Sequence, residues 1–155
     1  MNTSDKDTVA NPDLKSVQVE RIAPTHYRAT NAAGASVEFG QGEGLITPVE
    51  MLLAAVAGCS AIDVDVVTSR RSEPEKFSMH AQAHKIHEDG GAVRLDDVQV
   101  NFNIRFPQDA AGAQAQAMID RLLKISHDKD CTVSRTVEHP TTVALNNVSE
   151  ESGQK

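Results

Sequence analysis

The sequence predicts an α+β chain whose sheet is mainly antiparallel. Three observations carry that expectation. Two stretches of alternating apolar and polar residues are each folded back at a glycine-bearing turn. A long uncharged stretch opens with a helix-start signature. The strands come in runs, without the regular β-α-β alternation of a doubly wound fold.

Taken in order, residues 1–13 are polar and read as a flexible tail, as do residues 147–155. Residues 14–146 are expected to form one domain, since 155 residues suffice for a single substantial core. Val17 and Val19 alternate with polar neighbours, which suits a half-buried strand. Tyr27–Asn31 and Ser36–Phe39 flank the short loop Ala32-Ala33-Gly34-Ala35 and predict a hairpin. Gly40, Gly42 and Gly44 then mark a loop, and a helix is expected from Thr47 to Ser69.

Phe77, Met79, Ala81 and Ala83 alternate again. After the turn at Glu88-Asp89-Gly90-Gly91 comes the clearest strand, with Val98, Val100, Phe102, Ile104 and Phe106 on one face. Asp109 is a candidate N-cap for a second helix with Ala115, Met118, Ile119, Leu122 and Ile125 on one side. Asp130-Cys131 opens a short third helix, and a last strand is expected at Thr141–Leu145.

Composition narrows the function classes. A formal net charge of −7 repels phosphates, and 3% aromatic residues with no Trp leave few bases a platform to stack on. Nucleic acid is therefore not an expected partner. No run of 18 apolar residues appears, and the opening Met-Asn-Thr-Ser-Asp-Lys-Asp has no apolar core, so neither a membrane span nor a secretory signal is expected. The expected location is the cytoplasm. The histidines at 80, 84 and 87 do not share one strand face, and no metal or organic cofactor is expected. Asp63, Asp65, Asp96 and Asp97 read as solvated faces.

The first helix carries the functional argument. Thr47-Pro48-Val49-Glu50 supplies a cap, a proline at the first helical position and a carboxylate able to close a capping box. Met51 to Ile62 then contain no charge. A helix apolar all round must be covered on all sides. One small chain does this with difficulty, so a homodimer with this helix near the interface is expected; its own second helix and sheet are the alternative cover.

Cys59 lies mid-helix. Nine positions separate it from Glu50, a rotation of about 900° at about 100° per residue, so the two face opposite sides. If they share a site, Glu50 comes from the other chain. Mid-helix, Cys59 gains nothing from the helix dipole and needs an outside cation to ionise. Arg21, Arg28 and Arg135 are the candidates. Cys131 falls at a predicted helix start, where a thiolate is favoured. Counting alone favours two inert buried thiols over a reactive pair, and only placement can reverse that order.

The run from Thr47 to Val64, with Gly58-Cys59-Ser60-Ala61-Ile62-Asp63-Val64 at its end, resembles the central-helix motif of OsmC/Ohr proteins, and Asp130-Cys131-Thr132-Val133-Ser134 resembles their second-cysteine motif. The helix wording is nearest the OsmC-like branch. The resemblance implies an intertwined homodimer, two mainly antiparallel sheets wrapped around two central helices. It also implies a thiol peroxidase acting on organic hydroperoxides or hydrogen peroxide. Carried over, Cys59 attacks the peroxide, Cys131 resolves the sulfenic acid as a disulfide, Glu50 orients an arginine (Arg28), and a dithiol such as a lipoylated protein restores the thiols. A non-enzymatic redox sensor or apolar-ligand-binding dimer on the same scaffold is the alternative.

Overall fold

The computed structural model describes residues 11–149; positions 1–10 and 150–155 of the expected tails lie outside the described residues. The described backbone groups into two compact units that divide between Leu52 and Leu53.

In the first unit, β1 (Gln18–Ala23), β2 (His26–Thr30) and β3 (Ser36–Gly40) form a three-stranded antiparallel sheet in the order β1-β2-β3. The β2–β3 loop closes as its residues suggest. The Asn31 N–H donates to Ala35 O at 2.9 Å, and the Asn31 side chain accepts from the Ala33 and Ala35 N–H groups, each at 3.0 Å. β1 is present but not half-buried: Val19 is 48% exposed. The alternation located a strand, yet Val17 and Val19 both stand exposed.

Helix α1 (Pro48–Thr68) begins where Thr-Pro-Val-Glu says it should. The Thr47 Oγ1 accepts from the Glu50 N–H at 3.3 Å, and Glu50 Oε2 accepts from the Thr47 N–H at 2.7 Å, a reciprocal capping box. At 21 residues α1 is long and apolar enough, by length and composition, to cross a membrane, which the shorter uncharged stretch is not. Asp63 and Asp65 interrupt that composition. Among the described residues the helix is only partly covered. Val56, Ala57, Ala61 and Val64 are buried, but Ile62 is 65% exposed and Val66 49%.

The second unit pairs β4 (Lys76–His87) with β5 (Val93–Arg105) as a long antiparallel hairpin. Along β5 the half-buried positions are Leu95, Val98, Val100, Phe102 and Ile104. One irregularity in the pairing falls between Gln82 and His84, opposite Asp97 with φ 50°. The extra residue there keeps Leu95 on the face that Val98 and Val100 occupy. Asp109 caps α2 (Ala110–Ile125), its side chain accepting from the Gly112 N–H at 2.7 Å. Gly112 has to be glycine: a Cβ there would lie 1.9 Å from Pro107 O. Phe106, Ala115 and Ile119 form a buried cluster, with Ile104 and Leu123 packed on it.

A single π turn, Ser126–Asp130, leads from α2 to α3 (Thr132–Glu138). The strand expected at Thr141–Leu145 does not form. That segment is irregular, with Val143 82% and Leu145 93% exposed. Its alternation is strand-like, but a strand needs a neighbour to pair with, and within this chain it has none among the described residues.

Candidate functional site

Cys59 on α1 and Cys131 at the start of α3 come together. Each thiol shifts the ionisation of the other, although 72 positions separate them in the chain. Both are reduced. Both lie within residues 53–155.

Three local features bring Cys131 to this place. The π turn lets the Cys131 N–H donate to Ser126 O at 2.8 Å, five residues back. Ser126 is wholly buried and its hydroxyl donates to Asp63 Oδ2 at 2.7 Å, tying the turn to α1 one helical turn beyond Cys59. Finally, Cys131 is itself the N-cap of α3, its sulfur accepting from the Ser134 N–H at 3.3 Å. Asp63 is therefore not a solvated carboxylate, as its composition context suggests, but the acceptor for a buried hydroxyl.

The two sulfurs sit in different surroundings. Cys131 is fully buried, whereas Cys59 is partly open. Burial opposes ionisation of Cys131. The Ser134 hydroxyl, the Ser60 hydroxyl, the Ser134 N–H and the Cys59 thiol outweigh it and hold Cys131 below the usual thiol value. Burial pushes the Cys59 thiol up; the Val133 N–H eases this, and Cys131 and the Asp63 carboxylate add to it. Of the groups acting on Cys59 within residues 53–155, none is cationic. The bond between Cys131 and Ser134 spans 3.2 Å from Sγ to Oγ.

A cavity of about 270 Å³ is walled by Val56, Val100, Phe102 and Leu123 together with Ser60 and Ser134, the two serines that act on Cys131. His127 and Glu138 also line it, joined at 2.8 Å, and Glu138 and then Asp128 hold the His127 imidazole above its ordinary value. Sequence reasoning missed Ser60, Ser134 and the Asp63–Ser126 tie. The two serines sit within the motifs already singled out, so adjacency to each cysteine was the available signal. Nothing local marks Asp63 and Ser126 as partners.

Arg28 and Glu50 lie in the first unit, each with a partner of its own. The Arg28 guanidinium donates to Glu38 Oε1 at 2.6 Å across β2 and β3. Glu50 Oε2 accepts from both the Thr47 N–H and, at 2.8 Å, the Thr47 hydroxyl; these bonds keep its carboxyl below the usual range.

No curated protein matches the chain. Its fold is that of several solved structures. A hypothetical protein from Aquifex aeolicus superposes with a TM-score of 0.63 at 17% identity, over 81% of this chain and 88% of that one. An OsmC-like protein from Mycoplasma pneumoniae gives 0.63 at 11% identity, over 83% and 89%. An organic hydroperoxide resistance protein from Elizabethkingia anophelis gives 0.51 at 14% identity, over 82% and 91%. The profile of the OsmC-like protein family matches residues 40–146, which include α1, both cysteines and everything that holds them together. On that match the chain belongs to the OsmC-like protein family.

Proposed function

We propose that the protein is a thiol-dependent peroxidase for organic hydroperoxides or hydrogen peroxide. One observation carries the reading: a partly open Cys59 and a buried, hydrogen-bonded Cys131 shift each other's ionisation, and the two serines that act on Cys131, Ser60 and Ser134, line a cavity with several aliphatic walls. Cys59, as thiolate, attacks one peroxide oxygen. The O–O bond breaks, the alcohol (or water) leaves with a proton, and Cys59 becomes a sulfenic acid. Cys131 then attacks that sulfur, water departs, and a disulfide forms. A dithiol returns the two electrons. The aliphatic walls of the cavity suit the alkyl part of a hydroperoxide. An organic hydroperoxide resistance protein among the structural neighbours agrees with this choice of substrate.

The homodimer belongs to the same reading. Ile62, Val66, Val143 and Leu145 are apolar and exposed in the single chain, and a second copy is the simplest cover. Arg28 and Glu50 enter as the cation and the orienting carboxylate that the resemblance implies, supplied across that interface. Arg28→Ala and Glu50→Gln are expected to lower turnover at least about tenfold; normal turnover in either removes that residue from the site and leaves the cysteine pair.

The decisive experiment mixes reduced protein with excess cumene hydroperoxide and follows thiol loss and protein mass. Conversion of Cys59 and Cys131 to a disulfide, repeated on addition of a dithiol, supports the peroxidase. If Cys59 stays a free thiol and hydroperoxide is consumed no faster than without protein, the enzyme reading is lost. A redox sensor is the second reading. It draws on the upward push on the Cys59 thiol, which slows attack. A sensor oxidises once and does not cycle.

A further inference from the structure

A disulfide between Cys59 and Cys131 can be opened at either sulfur, and the two ends are not equivalent. Cys131 has 0% exposure, whereas Cys59 is partly open. Around Cys131, Ser134 presents its N–H at 3.3 Å and its hydroxyl at 3.2 Å, and the Ser60 hydroxyl faces the same sulfur. When Cys131 is a thiol it donates to Ser134 Oγ; when it is a thiolate the hydroxyl turns and donates to it. Around Cys59, among the described residues, the donor is the Val133 N–H, and the Asp63 carboxylate adds a repelling charge.

We propose that Ser134, seconded by Ser60, is the positioning residue that makes Cys131 the leaving thiolate, so that a dithiol reductant attacks Cys59 and its mixed disulfide forms there. The inference deepens the cysteine-pair reading above and rests on it. One thiolate of the reductant bonds to Cys59 Sγ as the Cys59–Cys131 bond breaks, and the electron pair leaves on Cys131. The reductant's second thiolate then attacks its own first sulfur and releases Cys59 as thiolate. The reductant ends as a cyclic disulfide, oxidised by two electrons, and the protein regains both sulfurs reduced. Leaving-group ability in this exchange rises as the departing thiol becomes more acidic, and donors at 3.2–3.3 Å from Cys131 supply that bias.

The test uses the full chain oxidised with diamide, which closes a dithiol without any peroxide chemistry. A monothiol, 2-mercaptoethanol, is added, the reaction is acid-quenched early, and peptide masses locate the adduct. The expected ratio is at least about ten to one in favour of Cys59. In Ser134→Ala the ratio is expected to fall to about two to one and reduction to slow about tenfold, with Ser134→Thr restoring both. Far-ultraviolet circular dichroism of each variant separates these effects from unfolding. An adduct mainly on Cys131, an unchanged ratio and rate in a folded Ser134→Ala, or no intramolecular disulfide with diamide overturns the proposal. A disulfide that diamide forms and hydroperoxide does not removes the peroxidase and leaves this inference standing.

Discussion

Helices α1 and α3 start with the same device made of different atoms. At α1 the Thr47 oxygen accepts from the N–H three residues on at 3.3 Å, and the side chain of that third residue, Glu50, returns to the cap. At α3 the Cys131 sulfur accepts from the N–H three residues on, also at 3.3 Å, and the side chain of that third residue, Ser134, again returns to the cap. The first start is exposed and made of groups that serve a helix. The second has a buried cap, and that cap is a cysteine sulfur. Equal geometry with unequal burial makes the two caps differ: exposed bonds are weakened by competing water, whereas donors around a buried sulfur bias which of its ionisation states is stable.

Substitutions at the two caps are expected to act on opposite properties. Cys131→Ser keeps a good cap, so the melting temperature should stay within about 2 °C. Peroxide turnover should nevertheless fall about a hundredfold or more, and Cys59 should over-oxidise to a sulfinic acid, seen as about +32 Da by mass spectrometry. A variant that unfolds would mean that the sulfur cap is structural as well.

Ser126→Ala removes the tie between the π turn and α1 and leaves Asp63 without its buried donor. It should lower unfolding free energy by about 1–2 kcal/mol in urea and slow disulfide closure about tenfold. Unchanged closure would show that Cys131 finds Cys59 without the tie. Thr47→Ala should cost about 1 kcal/mol in the same assay and leave the cysteine titration where it was. A shift in that titration would couple the two helix starts.

The smallest effect is on ionisation itself. The serine donors lower Cys131 below its ordinary thiol value, so the thiolate absorbance near 240 nm should persist to lower pH than in a free cysteine. The sign for stability follows. A pKa lower in the folded than in the unfolded chain adds stability above the unfolded value, and that stability is lost as pH falls through the folded one. Ser134→Ala should move the absorbance midpoint upward. A midpoint that stays put would take Ser134 out of the hydrogen-bonded set that matters.

Much of the fold was legible because its signals are local. Thr47 and Glu50, or Asp109 and Gly112, identify a helix start within four residues. The β5 stripe reads off a period of two. The two cysteines could be singled out from motifs that each fit in one short segment. The Asp63–Ser126 tie could not, since its partners are 63 positions apart and each alone looks like a surface residue. The Thr141–Leu145 segment failed for the converse reason: its own pattern is strand-like, but pairing depends on a neighbour that pattern cannot supply.

The sequence by itself therefore determined where helices and hairpins begin, and which two sulfurs deserve attention, because capping and alternation need only neighbours along the chain. Tertiary structure alone decided that those sulfurs act on each other, that one is buried and the other open, and that serines surround the buried one. Ionisation depends on what is packed around a group in space, and that packing joins residues the chain keeps far apart.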